Sequence, residues 1–348
     1  MKTVSKAIPT IRDVARKAGV GQATVSRVMN GSAPVAEATR AAVQQAIAEL
    51  GFVPNPHARR LSLGKTFTVA AIVPFFTRPS FVERLRGIES VLAPTPYDLI
   101  VFNVESVERR DKYFAEVPHP DRVDGALIMS FTPRDHDVAR FRRSGVPVVL
   151  VDAYHPKLHS VHEDSERGGF LATQHLIELG HQRIGFISDT FDDPFNFTSR
   201  SYSRFEGYRK ALKTAGIHFH ETWHRQGEHS RLMARHLTLE ILQAPDAPTA
   251  IFAASDTQAM GVLEAARALK LRVPADLSVI GYDDLEIAEY LGLTTVRQAL
   301  FESGQKGAEL LLAALENPTS KISAVKMPVE LVQRKTTAPA PKLHNGRR

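Results

Sequence analysis

Residues 10–61 read TIRDVARKAGVGQATVSRVMNGSAPVAEATRAAVQQAIAELGFVPNPHARRL, and the spacing inside this stretch decides the fold. Thr10 and Asp13 form a T-x-x-D pair that caps a first helix, after which Ile11, Val14, Ala15 and Ala18 share one apolar face. Gly19 stops that helix in the left-handed conformation a helix end favours, and Gly19-Val20-Gly21 leaves a three-residue turn before helical spacing resumes from Gln22 to Met29. Ala15 is small where two helices so closely joined must cross, and Val25 fills the seam between them, which is helix-turn-helix spacing. A third helix, roughly Val35 to Leu50, supplies Ala42, Val43, Ala46, Ile47 and Leu50 to a small core and ends at Gly51.

Gln22, Ala23, Ser26 and Arg27 then lie on the outer side of the second helix, starting at the N-terminus that such modules insert into the major groove. Arg27 suits bidentate contact with guanine, Gln22 suits adenine or a phosphate, and the Ala23 methyl fits against a thymine methyl. Thr24 and Ser26 are placed to hold phosphates. The plainer reading of an isolated A-x-x-x-G pattern is a three-helix bundle with an exposed polar face.

Charge favours the nucleic-acid reading. Of the 348 residues, 1–65 carry ten Lys/Arg against three Asp/Glu, whereas the remainder carries 34 against 35, so the whole positive excess sits on the N-terminal unit. The length implies two or three domains, and 43% hydrophobic residues are enough for sizeable cores. The chain has no cysteine, which excludes disulfides, thiolate metal sites and thiol nucleophiles. No apolar run approaches a membrane span and no signal-peptide core follows Met1-Lys2-Thr3, so a cytoplasmic protein is expected.

The first fifty residues resemble the heads of the LacI/GalR family of bacterial repressors, which carry T-I-x-D-V-A-x-x-A-G-V-S-x-x-T-V-S-R-V-x-N. The departures are Gly21 and Ala36, both at positions where the family commonly has a capping Ser. Gly is a tolerable N-cap, so a more adaptable second helix is expected and not a different function. The resemblance adds Thr10, Asn30 and Asn55 to the expected DNA contacts. It also matches Pro54-Asn55-Pro56-His57-Ala58-Arg59-Arg60-Leu61 to a P-N-x-x-A-R-x-L hinge helix that orders on DNA, with Leu61 as a minor-groove wedge, Ala58 packed beside it and Arg59 or Arg60 on phosphate. A helix of this length is marginal alone in water.

From Phe67 onward short apolar runs alternate with helical stretches: Thr68–Pro74, Ser80–Leu92, Tyr97–Val104, Gly125–Ser130 and Pro147–Asp152, then His181–Ser188, Arg204–Gly216, Ala250–Ala254, Ala259–Leu269 and Ser278–Tyr282. That alternation predicts two doubly wound parallel-sheet subdomains with a ligand cleft beyond the carboxyl ends of their strands. The resemblance continues through Arg122-Val123-Asp124-Gly125, His175 to Ile184, Arg204-Phe205-Glu206-Gly207-Tyr208, Ser278 to Asp284 and Leu331-Val332-Gln333-Arg334. It implies the fold of periplasmic sugar-binding proteins, with crossings between subdomains near 180, 298 and 328. The expected organisation is an all-α helix-turn-helix head (1–53), a hinge (54–66), an α/β periplasmic-binding-protein-like body (67–339) and a disordered tail (340–348). The leucine-heptad tail of tetrameric members is missing from APAPKLHNGRR, which points to a homodimer.

The expected effector contacts are Phe76, Phe81, Asp164, Phe191, Arg204, Ser255, Asp256 and Asp283. Aromatic faces beside Arg204 and Asp283 suit a carbohydrate, whose C–H faces pack on rings while its hydroxyls take charged hydrogen bonds, which makes a sugar the favoured effector class and leaves purines, nucleosides or a phosphoprotein corepressor open. Asp164 matches a cleft acid of the family and reads equally as a loop cap. Ser255 stands where the family usually has Asn. Asp283-Asp284 do not make a catalytic pair, because adjacent residues at a strand end diverge and no nucleophile, base and orienter set assembles around them. His218, His220, His224, His229 and His236 read as a solvated surface cluster and not a zinc site, since no Cys and no fourth ligand accompany them. No cofactor or metal is expected. The function expected is a DNA-binding repressor of a pseudo-palindromic operator under small-molecule control, against the alternative of a solute-binding receptor or enzyme on the same fold.

Overall fold

The computed structural model describes residues 9–31, 33–53, 64–192 and 199–341. The chain divides into two units, residues 1–66 and 67–348.

In the first unit the helices are α1 (Ile11–Ala18), α2 (Gln22–Asn30) and α3 (Glu37–Leu50). The Asp13 carboxylate accepts both the Thr10 N–H (2.9 Å) and the Thr10 hydroxyl (2.7 Å). Each helix ends at a left-handed glycine, at Gly19 (φ 66°), Gly31 (φ 61°) and Gly51 (φ 59°). Val14, Ala15, Val25, Val43 and Ala46 form the core, joined by Phe52 beyond the third helix. Helix α3 begins two residues later than its apolar spacing suggests, because Ala36 keeps an extended ψ of 140° and caps the helix without a side-chain bond. The hinge, 54–63, lies outside the described residues, and with it the expected contacts Asn55, Ala58, Arg59 and Leu61; the side chain of Asn30 does too.

The second unit contains β1 (Thr68–Pro74), β2 (Asp98–Val104), β3 (Gly125–Met129), β4 (Val148–Val151), β5 (His159–Glu163), β6 (Ile184–Asp189), β7 (His224–Gly227), β8 (Ala250–Ala253), β9 (Ser278–Ile280), β10 (Thr295–Gln298), β11 (Ala324–Met327) and β12 (Val329–Val332). A six-stranded sheet has the order β11-β5-β4-β3-β1-β2 and a four-stranded sheet the order β7-β6-β8-β9, parallel throughout; β10 and β12 pair antiparallel. Val69-Ala70-Ala71-Ile72-Val73 is wholly buried, as a parallel strand covered by helices on both faces must be.

The chain changes subdomain three times. The later crossings fall at Gln298–Leu300 and at Pro328, but the first comes at Glu163–Ser165 and not near Gly180. The reason is packing: Ala172 and Leu176 of the helix Ser165–Glu178 are buried with Phe186, Tyr208, Phe252 and Tyr282, so that helix already belongs to the second subdomain. The C-terminal segment is stitched into the same subdomain. Thr336 Oγ1 donates to the Val279 carbonyl (2.7 Å) and accepts the Thr294 N–H (2.8 Å), His175 Nε2 meets Thr337 Oγ1 (2.9 Å), and His181 Nε2 lies 3.1 Å from the Ala338 carbonyl. The Ala340 N–H bonds the Leu179 carbonyl (2.8 Å), so ordered structure runs past the boundary expected at 339.

The histidine reading needs correction. His218, His220 and His236 are exposed, but His224 stacks on Phe205 (4.3 Å between centroids) inside an aromatic cluster, and His229 lines the cleft described below. His224 is the first residue of β7, so strand formation carries it inward among Phe186, Phe191 and Phe205. Burial, with a smaller effect from Arg225, lowers its pKa to about 4. An imidazole held neutral in the fold and titrating near 6.5 when unfolded stabilises the native state fully above pH 6.5, and that stability is lost as the pH falls towards 4. We expect unfolding melts to show that going from pH 7.5 to 4.5 costs the parent about 2 to 3 kcal/mol more than the His224→Phe variant. Equal acid sensitivity of the two would contradict the assignment.

Candidate functional site

On the head, the packing of Val25 and Val28 into the core turns the opposite face of α2 outward. Gln22, Ala23 and Arg27 are exposed on it, with Thr24 and Ser26 half-buried at its margins. Among the described residues no carboxylate lies within 4.0 Å of Arg27, whereas Arg16, Lys17 and Arg40 each have an acidic neighbour. Gly21 caps α2 with extended backbone and no side-chain bond, which leaves the first N–H groups of that helix open to an anion.

In the second unit, the carboxyl ends of both parallel sheets open onto one cavity of about 80 Å³. From the first subdomain come Pro74 at the end of β1, Arg78, Ser80, Phe81 and Arg84 around the start of the helix Pro79–Leu92, Ser130 after β3 and Asp152 after β4. The second subdomain contributes Asp189 at the end of β6, Ser201 and Arg204 on the helix Ser199–Thr214, His229 after β7, Ser255 after β8 and Asp283 after β9. Gln298, at the crossing, completes the wall. Three of these positions have left-handed backbone without being glycine: Ser130 (φ 54°), Asp152 (φ 57°) and Asp283 (φ 118°). Such strain, about 1–3 kcal/mol each, accumulates where side chains are aimed at a ligand.

The polar groups are interlocked. Arg84 Nη2 lies 3.2 Å from Asp152 Oδ1 and donates to Gln298 Oε1 (2.8 Å), Ser130 Oγ donates to Asp152 Oδ2 (2.5 Å), and Gln298 Nε2 donates to Asp283 Oδ1. Arg204 donates to the Ala254 carbonyl (2.6 Å), stands 3.6 Å from Glu163 and 3.9 Å from Asp283, and lies over the Tyr282 ring at 3.8 Å. Burial opposes the Arg204 charge, but Tyr282, Asp283, Glu163 and Asp152 outweigh it and the pKa is raised. Burial raises the Asp283 carboxyl, an effect that Arg204 and Gln298 only partly offset. For Asp189 the balance is reversed: burial raises it, yet His229, Arg78 and Ser201 together hold it below the usual carboxylate range. His229 Nδ1 sits 2.9 Å from Asp189 Oδ1 and Ser201 Oγ donates to Asp189 Oδ2 (3.2 Å).

Of the expected effector contacts, Phe81, Arg204, Ser255 and Asp283 line this cavity and four do not. Phe76 is exposed, with its N–H on the Asn103 side chain (3.2 Å). Phe191 packs against Tyr202, Phe205 and His224 as part of the aromatic core. Asp164 caps the helix Ser165–Glu178 by accepting the Arg167 N–H (2.9 Å) and pairs with Lys326 (2.6 Å), so the loop-cap reading applies. Asp256 is buried behind the wall, accepting from Thr295 Oγ1 (2.6 Å) and the Leu285 N–H (2.8 Å), and burial together with Asp283 raises its pKa well above the usual range. It braces the cavity from behind. Asp284 is held by Arg297 and Arg334 at 2.7 Å each, pointing away from Asp283 as adjacent residues must. The cavity residues that sequence reasoning missed are Pro74, Arg78, Ser80, Arg84, Ser130, Asp152, Asp189, Ser201, His229 and Gln298. Most of them end or follow a strand, and that position is the one signal that could have found them.

Among the described residues no group of three His, Cys, Asp or Glu side chains could hold a metal ion, and no helix is long and apolar enough to cross a membrane.

Residues 10–55 match bacterial regulatory proteins of the lacI family, and residues 173–337 match the periplasmic binding protein-like domain. Catabolite control protein A of Priestia megaterium is 33% identical over 332 residues, which cover 94% of this chain and 99% of that protein. The chain belongs to the LacI family. Like its LacI-family relatives it is a DNA-binding transcriptional regulator and not an enzyme, with a helix-turn-helix head and a body built like a periplasmic binding protein. Among solved structures, the Lac repressor dimer bound to operator and the anti-inducer ONPF is 29% identical with a TM-score of 0.83, covering 95% of this chain and 99% of that one. The complex of the regulator CelR with cellobiose is 33% identical with a TM-score of 0.67, covering 94% and 99%.

Proposed function

We propose that the protein is a homodimeric repressor that reads a pseudo-palindromic operator with the exposed face of α2, and whose grip on that operator is set by an uncharged carbohydrate in the body cavity. The observation that carries the effector reading is the balance of the cavity wall. Three guanidinium groups (Arg78, Arg84, Arg204) face three carboxylates (Asp152, Asp189, Asp283), among the hydroxyls of Ser80, Ser130, Ser201 and Ser255 and the ring of Phe81. An anionic ligand would need surplus positive charge. A neutral polyol needs donors and acceptors side by side, with an aromatic face for its C–H edge, and these are present. LacI-family neighbours hold cellobiose and ribose in their solved complexes.

A dimer is supported by the Lac repressor dimer cited above and by the apolar surface this chain exposes. Leu232 is 65% and Tyr290 85% exposed, and the outer strand β2 leaves Ile100 and Val101 uncovered beside an unpaired sheet edge. Unpaired, apolar edges of this kind call for a cover. The expectation is a cytoplasmic regulator in which Thr10, Gln22, Ala23, Thr24, Ser26, Arg27 and Asn30 meet DNA, together with the hinge residues Asn55, Ala58, Arg59 and Leu61.

The test separates the two sites. Arg204→Ala and Asp283→Asn are expected to keep operator affinity while losing the response to sugar, because neither residue lies in the head. The parent's response should be tenfold or larger, since coupling free energies are typically about 1–3 kcal/mol. Operator affinity is measured for the parent and both variants with and without the sugar that the parent recognises. Variants that respond with the parent's midpoint would refute the cavity assignment.

A further inference from the structure

Two of the three arginines of the cavity wall, Arg84 and Arg204, sit in matched settings. In the second subdomain Arg204 and Gly207 share a helix, spaced R-x-x-G, while Glu163, Glu166 and Gly169 follow one another at intervals of three across the first crossing. Glu163 pairs with Arg204 at 3.6 Å. A Cβ on Gly169 would lie 2.1 Å from the Arg204 carbonyl oxygen, and one on Gly207 would lie 2.0 Å from that of Glu166, so the two helices touch backbone to backbone at this point. In the first subdomain Arg84 and Gly87 repeat R-x-x-G, and Gln298, Phe301 and Gly304 repeat the intervals of three across the second crossing. Gln298 accepts from Arg84 at 2.8 Å. A Cβ on Gly304 would lie 2.0 Å from the Arg84 carbonyl oxygen, and one on Gly87 2.0 Å from that of Phe301. The contact set is the same in both halves, residue for residue.

We infer that Arg84 is the first subdomain's counterpart of Arg204: a second guanidinium on the effector, which restricts the cavity to a neutral sugar bearing hydroxyls on two opposite edges. This inference rests on the reading of the cavity as a sugar site. Each arginine stands beside a carboxylate, Arg84 by Asp152 at 3.2 Å and Arg204 by Asp283 at 3.9 Å. A guanidinium next to a carboxylate presents donors and acceptors together, the pattern that adjacent hydroxyls satisfy. Each also keeps a buried Nε–H for which no acceptor is found among the described residues. A buried guanidinium is costly to desolvate where an apolar side chain would fill the same space, so its place in a cavity wall calls for a task there. Gln298 joins the two halves by accepting from Arg84 and donating to Asp283, so a sugar held by both arginines is held across the crossing itself.

The experiment is a binding cycle on the full-length protein. The parent is titrated with a panel of neutral pentoses, hexoses and disaccharides, including ribose and cellobiose, and with their phosphorylated and uronic acid counterparts. A parent that binds none of the neutral sugars would break the sugar-site reading itself. With the best neutral sugar, Arg84→Met and Arg204→Met are each expected to bind about ten- to a hundredfold more weakly, the worth of a hydrogen bond to a charged group. The deciding measurement uses deoxy derivatives of that sugar, one hydroxyl removed at a time. The inference requires one hydroxyl whose removal weakens binding to the parent and not to Arg84→Met, and a different hydroxyl with the same relation to Arg204→Met. If every deoxy penalty is as large in Arg84→Met as in the parent, Arg84 does not touch the sugar and the inference is overturned while the site stands. Should Arg84→Met fail to fold, Arg84→Lys, which keeps a cation beside Asp152, enters the same cycle and is judged by the same criterion.

Discussion

Raising the salt from 50 to 200 mM is expected to weaken operator binding by about 10³- to 10⁵-fold, the loss that follows when about six to ten phosphates are neutralised by protein cations. The charge is in the right place for this. Residues 1–65 hold ten Lys/Arg against three Asp/Glu, whereas the rest of the chain is close to neutral, so two heads bring an excess of fourteen positive charges to the duplex. Each neutralised phosphate releases condensed counterions, and the entropy of their release shrinks as the bulk salt rises. Fluorescence anisotropy with a selected operator at several salt concentrations should give a log–log slope of about −5 to −9. A slope near zero would mean that the head does not contact the backbone.

The second large effect concerns base readout. Arg27→Ala should cost about 1–3 kcal/mol at each half-site, which is about thirtyfold to twenty-thousandfold on a symmetric operator. The substitution leaves the core intact, because Arg27 is exposed while Val25 and Val28 carry the packing of α2. Binding to unrelated duplex should fall by no more than the loss of one cation per head. The pair of affinities, operator and random duplex, therefore distinguishes a base-reading arginine from a phosphate-holding one. Parallel losses on both duplexes would move Arg27 from the first role to the second.

Why these features could be read at all differs from one part of the chain to the next. The head is written in local chemistry: the Thr10–Asp13 cap, the left-handed glycines 19 and 51 and the three-helix apolar spacing all act within a few residues, and each appears in the structure at its expected place except the start of α3, which comes two residues late. The body strands were legible for the same reason, since a run such as Val69 to Val73 has one stable environment. The cavity wall is different. Arg84 meets Gln298 across 214 positions and Asp152 across 68, and no periodicity announces such pairs. Arg204 and Asp283 were found because they fall in motifs shared with the LacI family, and Ser255 because it stands where the family usually has Asn; Gln298 ends a matching piece, Thr294 to Gln298, that does not itself mark a wall residue, and Arg84 and Asp152 belong to no such motif. Phe76 and Phe191 show the converse error. Aromatic residues after a strand end suit a ligand, but the final turn of backbone decides whether the ring enters the cavity, the solvent or the core, and that turn is set by tertiary packing.

The stitching of residues 336–340 into the second subdomain has a consequence for the order in which the molecule comes into being. The head closes its core at Phe52, but β9 lacks the Thr336 carbonyl, His175 the Thr337 hydroxyl and His181 the Ala338 carbonyl until those residues have been made. The first subdomain waits almost as long, for the strand Ala324–Met327. At about 5 to 20 residues per second a ribosome needs roughly a quarter of a minute to a minute to cover that interval. During it the nascent chain carries a head whose three-helix core is already closed, joined to a second unit that still lacks the contacts of residues 336–340.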